Sequence, residues 1–445
     1  MIVRGFVARL YPNADQGVRL NQWSGSLRFL WNRLLDAEKA EYAATGKFIW
    51  KRELQPMAVG MKRQPGLEWL SDLPAHAVLD TSARMDGALR RMVKERKAGR
   101  DCGFPKPKKK FINESGIYCV GQATHFEFED GVAAVDGERC SDKRRAGTSE
   151  FRTKIPVAGE GTAKPEKAQR MPASLIPRFV HLPKLGRVKL RGGTVPEGRL
   201  LASRVWRDGA RWMLSAQFEC ARPAPLEPTG VTVGMDLGVA TLVTTFDGAG
   251  FDEVTAPKHL RKALKRLRRA ERTKSRRKKG SARRRAQARR VGVIHRKVRE
   301  RRKDLLHQIS HRLTTKADVL KVETLNVRGM ARNHHLALSV ADAGMSRLVT
   351  FCEYKADWRG RTVEKIDPWF PGSQTCSGCG EVHREMKNLK ERMMRCDCGN
   401  VMGRDRNAAV NHYWYPEERE NRIGNDATRM EMGNQELAPV PVGEV

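Results

Sequence analysis

Four cysteines between residues 376 and 398 have the spacing of a metal knuckle, Cys376-x2-Cys379 and Cys396-x-Cys398, with Gly378, Gly380 and Gly399 permitting tight turns. Two thiolate pairs about twenty residues apart suit one tetrahedral Zn²⁺, because sulfur ligands at about 2.3 Å match that ion. Seven residues after the second pair stands Asp405, at the start of a helical pattern running from Arg406 to Tyr413. Two further acidic residues adjoin apolar sequence, Asp236 in VTVGMDLGVATLVTTF and Glu323 in VLKVETLNV. An unpaired carboxylate inside a strand is costly. Three that converge make a hard-oxygen site for Mg²⁺, and two such ions about 4 Å apart can activate a water and stabilise the leaving oxygen of a phosphodiester. Taken singly, each has a plainer reading: Asp405 as a helix N-cap, Glu323 as a strand-end surface residue, Asp236 as the partner of a buried lysine.

The chain that must position these groups has 445 residues, 40% hydrophobic and 31% charged, with a formal net charge of +34. That composition excludes a wholly disordered chain, and the charge calls for a polyanionic partner, nucleic acid first, because Lys and Arg release counterions from phosphate backbones. No apolar run approaches the roughly 18 residues of a membrane span, and the start lacks a secretory core. Nine cysteines, an odd number, fit a reducing compartment rather than a disulfide scaffold, so the expected location is the cytosol. Cys102, Cys119, Cys140, Cys220 and Cys352 lack ligand spacing and read as inert. His334 and His335 receive no metal role, and Trp206, Trp212, Trp358 and Trp369 read as core or interface aromatics.

In chain order, Val3–Leu10 alternates like a strand, and Asn13 or Asp15 caps a helix with one apolar stripe at Leu20, Trp23, Leu27, Leu30, Leu34 and Ala37. Arg28 and Arg33 lie off that stripe, where they could face nucleic acid. Met85, Leu89 and Met92 mark another helix ending near Gly99. The stiff segment GFPKPKKKF follows; its Lys106, Lys108, Lys109 and Lys110 could lie along phosphates while a ring stacks on a base. Residues 120–172 read as irregular strands with a flexible insertion, and 181–191 and 203–219 as antiparallel strands turning at Asp208-Gly209. A hairpin is predicted over 231–246, then two basic helices over 258–303 split near Gly280, with Arg283, Arg284, Arg285, Arg289 and Arg290 as the densest nucleic-acid surface. A strand over 319–327, a helix over 339–358 and a strand over 362–366 lead to the cysteines, where Ser373-Gln374-Thr375 either contacts a nucleic-acid strand or turns into the first knuckle. The acid-leaning tail 416–445 is predicted to be disordered.

A hairpin Asp, a later strand Glu and a final helix Asp are the order of an RNase H-like nuclease. The segments GMDLGVATL, VETLNVRGM, TCSGCG with CDCG, and GRDRNAAVN resemble the split RuvC nuclease of transposon-encoded TnpB proteins and of the miniature type V CRISPR effectors. FVARLYPNADQ, RFLWNRLL, GFPKPKKKF and HLPKLGRVKL are similar to the same family's amino-terminal regions. The resemblance implies an α/β multidomain chain: a first wedge strand (1–12), a helical recognition domain (13–100), a β-barrel-like wedge domain (101–230), a RuvC-like domain (231–370), an inserted zinc ribbon (371–403), a last RuvC segment (404–415) and the tail. It implies an RNA-guided DNA endonuclease that recognises a short flanking motif, either a CRISPR effector or a TnpB, acting as monomer or homodimer on a guide RNA and target double-stranded DNA. Two Mg²⁺ would sit at Asp236, Glu323 and Asp405, and one structural Zn²⁺ at Cys376, Cys379, Cys396 and Cys398. Gly403 stands where that family often has an acidic residue. Two other readings stay open, a nuclease-inactive RNA-guided repressor and a basic zinc-ribbon DNA-binding factor without a guide.

Overall fold

The structure, a computed structural model, describes residues 1–109, 116–128, 176–388 and 390–415. The chain forms two compact units, Met1–Arg222 and Pro223–Val445.

In the first unit, strand β1 (Ile2–Tyr11) runs into helix α1 (Ala14–Thr45), followed by α2 (Lys51–Gly60) and α3 (Ala75–Lys97). Asn13 starts α1: its side chain accepts the Gln16 N–H at 2.8 Å while the Gln16 side chain accepts the Asn13 N–H, a reciprocal cap that satisfies otherwise orphaned donors. Leu20, Trp23, Leu27, Leu30 and Leu34 are buried as their spacing predicts, and each contributes on the order of 2 kcal/mol. Strands β2 (Ile117–Val120), β3 (His125–Glu127), β4 (Phe179–Leu182), β5 (Gly186–Gly192), β6 (Arg199–Asp208) and β7 (Arg211–Cys220) complete a seven-stranded sheet in the order β2-β6-β7-β1-β5-β4-β3. Every pairing in it is antiparallel, and β6 and β7 turn at Gly209, whose φ of +63° favours glycine. Strand β3 is one of the irregular strands expected over 120–172; the rest of that segment beyond Phe128, like Lys110 and the tail 416–445, lies outside the described residues.

The second unit holds β8 (Thr232–Asp236), β9 (Thr241–Phe246), β10 (Phe251–Thr255), α4 (His259–Ser275), α5 (Ala282–Lys316), β11 (Val319–Glu323), α6 (Val327–Met330), α7 (Ala337–Ala343), α8 (Met345–Arg359), β12 (Thr362–Ile366), β13 (Met393–Arg395), β14 (Val401–Gly403) and α9 (Arg404–Tyr413). Its main sheet has the order β10-β9-β8-β11-β12. The β8–β9 and β9–β10 pairs are antiparallel, whereas β8–β11 and β11–β12 are parallel. Leu306, Ile309 and Leu313 of α5 and Met345, Leu348 and Cys352 of α8 share a core with Val233, Met235, Leu320 and Val322 of the sheet. The basic pair α4–α5 is held by a narrow seam of Ala263, Ala270, Val291, Ile294 and Val298, with a break at Gly280 (φ +87°). Two predicted elements are corrected. The strand over 319–327 ends at Glu323, and the helix over 339–358 is broken at Gly344, whose φ of +73° ends α7 before α8 begins.

Candidate metal centres

Parallel pairing fixes the first two carboxylates. Val319 to Val322 of β11 run beside Thr232 to Met235 of β8 in register, so the next residue of each strand, Glu323 and Asp236, ends on the same edge. Just beyond β8, the Leu237 N–H donates to Glu323 Oε1 at 3.1 Å, which orients that carboxylate across the two strand ends.

Helix α9 brings the third. Gly403 is its N-cap and no side chain caps it, so Asp405 lies in the first turn without serving as the cap. The helix can sit on β8 only because residue 234 is glycine: a Cβ there would come 2.2 Å from the Ala409 carbonyl oxygen. Lys321, 4% exposed, donates from Nζ to the Tyr413 carbonyl at 3.0 Å, so a buried ammonium closes the helix C-terminus. His412 Nδ1 donates to the Met235 carbonyl at 3.0 Å, and burial presses its pKa down to about 4, which keeps the ring neutral.

Electrostatics links the three acids. Burial first, then the charges of Glu323 and Asp405, hold Asp236 well above the usual carboxylate range. Glu323 is raised too, by burial and by Asp405, against the Leu237 N–H and the nearby Arg404 guanidinium. Their oxygens stand wider apart than the sulfurs described next. Among the described residues, only Cys376–Cys379–Cys396–Cys398 and Glu381–His383–Cys396 bring three or more such ligand atoms within 4.8 Å of one another.

In the four-cysteine cluster the Cys376 and Cys398 sulfurs are 3.6 Å apart and those of Cys379 and Cys396 3.5 Å. Burial raises the Cys376 thiol, but N–H donors from Cys379 and Gly378 and the Asn400 amide outweigh it, so its pKa ends below the ordinary thiol value. Asn400 Nδ2 lies 3.3 Å from that sulfur. Gly380 and Gly399, both at positive φ, close the two knuckles as their positions in the sequence predict. These four sulfurs could hold one metal ion.

The two centres are joined by side chains that the sequence reading passed over. Asn407 and Asn411, both fully buried, donate from Nδ2 to the Thr375 carbonyl at 2.7 Å, Asn411 also reaches the Gly372 carbonyl at 2.8 Å, and Asn407 Oδ1 accepts the Ser377 N–H at 2.9 Å. Arg404 donates to the Asn388 carbonyl at 3.1 Å and to Ser373 Oγ at 3.0 Å, with a further bond to the Met386 carbonyl. Residues 373–375 thus form the turn into the first knuckle. A signal existed: two asparagines four apart share a helix face with Ala408, on the side expected to be apolar.

The predicted nucleic-acid residues divide. Arg33 is exposed over the Phe29 ring at 5.5 Å, Arg28 is half-buried, and Lys106, Lys109, Arg283, Arg285, Arg289 and Arg290 are exposed. Lys108 instead turns inward, its Nζ 4.0 Å above the Trp31 ring, and burial brings its pKa down to about 7. Arg284 bonds to the carbonyls of Lys274 and Arg277 at 3.0 Å and so closes the C-terminus of α4. Trp369, expected in a core or interface, is 89% exposed. Against α4 and α5 lies a cleft of about 1190 Å³ whose lining includes Lys262, Arg266, Arg269, Lys297 and Arg301. No described helix is long and apolar enough to cross a membrane.

Family models match the chain in three places: a helix-turn-helix domain over residues 1–47, the OrfB/IS605 probable transposase over 215–334, and the Cas12f1-like TNB domain over 346–412. The first covers strand β1 and helix α1; the second contains Asp236 and Glu323; the third contains the four cysteines and Asp405. A Streptomyces pristinaespiralis protein named "Putative RNA-guided DNA endonuclease" is 41% identical over 209 residues, 46% of this chain and 50% of that protein, so the chain spans half the length of this relative. InsQ of Escherichia coli K12, named in the same way, is 25% identical over 88% of this chain and 87% of its own. A solved structure of a mini-RNA-guided endonuclease, CRISPR-Cas_phi3, overlays 92% of this chain and 91% of its own with a TM-score of 0.48 and 10% identity. Residues 215–334 are thus similar to the OrfB/IS605 probable transposases and residues 346–412 to the Cas12f1-like TNB domain, the stretches that hold the three acids and the four cysteines.

Proposed function

We propose that this chain is an RNA-guided DNA endonuclease with one RNase H-like nuclease centre at Asp236, Glu323 and Asp405. The observation that carries the reading is the delivery of Asp405, by a helix locked onto β8, to the edge where two parallel strands end in Asp236 and Glu323, with the charges of Glu323 and Asp405 felt at Asp236 and that of Asp405 felt at Glu323. Three acids crowded together against burial and mutual repulsion call for a cation.

An all-oxygen donor set fits Mg²⁺, and two such ions about 4 Å apart are the arrangement proposed for it. Bound there, such ions lower the pKa of a water and stabilise the leaving oxygen of a phosphodiester. The chain's own groups do the rest. Asp236, Glu323 and Asp405 would hold the ions, the Leu237 N–H keeps Glu323 turned inward, and Arg404 offsets part of the acidic charge while bonding to residues 373, 386 and 388. The four sulfurs would hold one Zn²⁺ with a structural role, fixing the segment to which α9 is tied.

Guide RNA and target double-stranded DNA are the proposed partners. The arginines and lysines of the α4–α5 cleft, with exposed Arg285, Arg289 and Arg290, supply phosphate contacts, and exposed Trp369 offers a ring for base stacking. The seven-stranded sheet takes the part of the wedge, and the place of work is the bacterial cytoplasm. The match to a probable transposase favours a guide encoded with a transposon over one from a CRISPR array.

The test is to purify the chain after expression with its flanking DNA, sequence the RNA bound to it, and offer a plasmid library matched to that RNA. Double-strand breaks confined to matched plasmids beside one short motif are the expected result. Protein free of RNA, or cutting that ignores the match, would overturn the reading.

A further inference from the structure

Cys396 belongs to two ligand clusters, and the second uses residues that the four-cysteine cluster leaves out. Glu381, His383 and Cys396 bring one carboxylate oxygen, one imidazole nitrogen and one sulfur within 4.8 Å of one another. Cys396 Sγ is 3.5 Å from Glu381 Oε2, and His383 Nε2 is 3.9 Å from that same oxygen.

The histidine is prepared for a ligand. Its Nδ1 is 3.0 Å from Glu385 Oε1; a carboxylate only accepts, so the Nδ1 proton points to Glu385 and Nε2 of the neutral ring keeps its lone pair. That Nε2 is buried and has no hydrogen-bond partner. A histidine whose far nitrogen donates to a carboxylate is the usual arrangement behind a metal-bound imidazole. Here the unpartnered lone pair of Nε2 adjoins a carboxylate oxygen that accepts the Cys396 thiol proton, and a cation between the three would take that proton's place.

The backbone fixes this group in place. The Cys376 N–H donates to the Glu381 carbonyl at 2.7 Å, the His383 N–H to the Gln374 carbonyl at 2.8 Å, and Thr375 pairs with Val382 across a β-bridge. Glu381 and His383 are therefore carried by the same turn that presents the first knuckle.

We propose that Glu381, His383 and Cys396 form a second metal site for a zinc-class divalent cation, with the Cys396 thiolate bridging to the ion of the four-cysteine cluster. One sulfur, one nitrogen and one oxygen are a borderline donor set that suits Zn²⁺ or Co²⁺ and disfavours Mg²⁺. Three protein ligands leave a fourth position open to water or an anion, unlike the closed four-sulfur site. This goes beyond the nuclease reading and does not depend on it.

The test uses the full chain, stripped of metal and titrated with Co²⁺ under reducing conditions while its absorption is followed. Sulfur-to-cobalt charge-transfer bands count only ions at the cysteines, so cobalt at the carboxylates does not enter the count. Two sulfur-bound equivalents are expected for the parent chain, the second with weaker bands because it has one thiolate. His383→Ala should take up one, retaining the four-sulfur spectrum as a sign that the ribbon is folded. Glu385→Gln should bind both, the second about 10 to 100 times more weakly. A single equivalent in the parent, as an ion pair between Glu381 and a doubly protonated His383 would give, overturns the proposal, and so do two equivalents in His383→Ala. Should His383→Ala lose the four-sulfur spectrum as well, Glu385→Gln decides, and an unchanged second affinity would overturn it.

Discussion

The sulfur cluster and the carboxylate trio are built in opposite ways. The four cysteines lie within residues 376–398 and meet through two local turns, and the apolar cluster there is completed, among the described residues, by Met386 and Met394 alone. The three acids come from β8, β11 and α9, and a whole sheet with its helices must fold before they meet. Thiols in small loops need a metal to hold their loops together, whereas the carboxylates are held by a core that does not need their cation and strains against their charge. The first centre should therefore fold with its ion, and the second should fold despite the lack of one.

The largest effect expected from that difference is at the cysteines. Cys376→Ser with Cys379→Ser should release the zinc, whose binding in such knuckles is worth roughly 10 kcal/mol or more, and open residues 371–403 to protease while the sheet of the same unit stays protected. Metal analysis and limited proteolysis check this; undiminished zinc and protection would remove the contrast.

Next comes the support beneath α9. His412 is buried and neutral, with a pKa of about 4 in the folded chain against about 6.5 unfolded. The unfolded chain thus binds more protons between those values, so stability present above about pH 6.5 is lost as the pH falls towards 4, by on the order of 3 kcal/mol in all. Urea denaturation at stepped pH should show that slope, and His412→Gln should flatten it. An unaltered slope would mean that other groups carry it.

Smaller still is the coupling between the centres. Asn407→Ala leaves the Ser377 N–H without its buried acceptor and should cost about 1 to 3 kcal/mol in denaturant unfolding. Combined with Asn411→Ala, it should exceed the sum of the two single costs, because either amide alone still serves the Thr375 carbonyl and only the double variant removes both donors. Strict additivity would show that the asparagines act separately. Least in size but opposite in sign, Asp236→Asn should stabilise the metal-free chain at pH 8 by on the order of 1 kcal/mol, read as a raised thermal midpoint, since it removes a buried acid that two others crowd. A lowered midpoint would mean that the trio is not strained.

The same difference explains what could be read from the sequence. Cysteine spacing is a local pattern and is legible in a single line of residues, as are the β-branched hairpin, the break at Gly280 and the capped start of α1. Asp236, Glu323 and Asp405 could be proposed from strand and helix patterns, but their meeting depends on the parallel pairing of β8 with β11, which no local pattern shows. The break at Gly344 was missed because one glycine within a helical period is ordinarily tolerated, and only its φ of +73° ends the helix. Cations of different surroundings look alike in sequence. Lys108 over Trp31, Arg284 on the α4 carbonyls and Lys321 on Tyr413 look in sequence like any phosphate-facing Lys or Arg, yet each is engaged within its own unit. Asn407 and Asn411 look like surface polars until the turn at residues 372–375 is brought against them.

One measurement bears most directly on the claim that three distant acids form a single cutting centre: Mg²⁺-dependent cleavage of a guide-matched plasmid by the parent chain beside Asp236→Asn, Glu323→Gln and Asp405→Asn, each loaded with the same RNA. The geometry predicts that every single variant loses about a thousandfold or more in rate, that a double variant loses little beyond a single one, and that RNA and plasmid binding persist. Cutting by Asp405→Asn at the parent's rate, or losses that multiply from one substitution to the next, would contradict it.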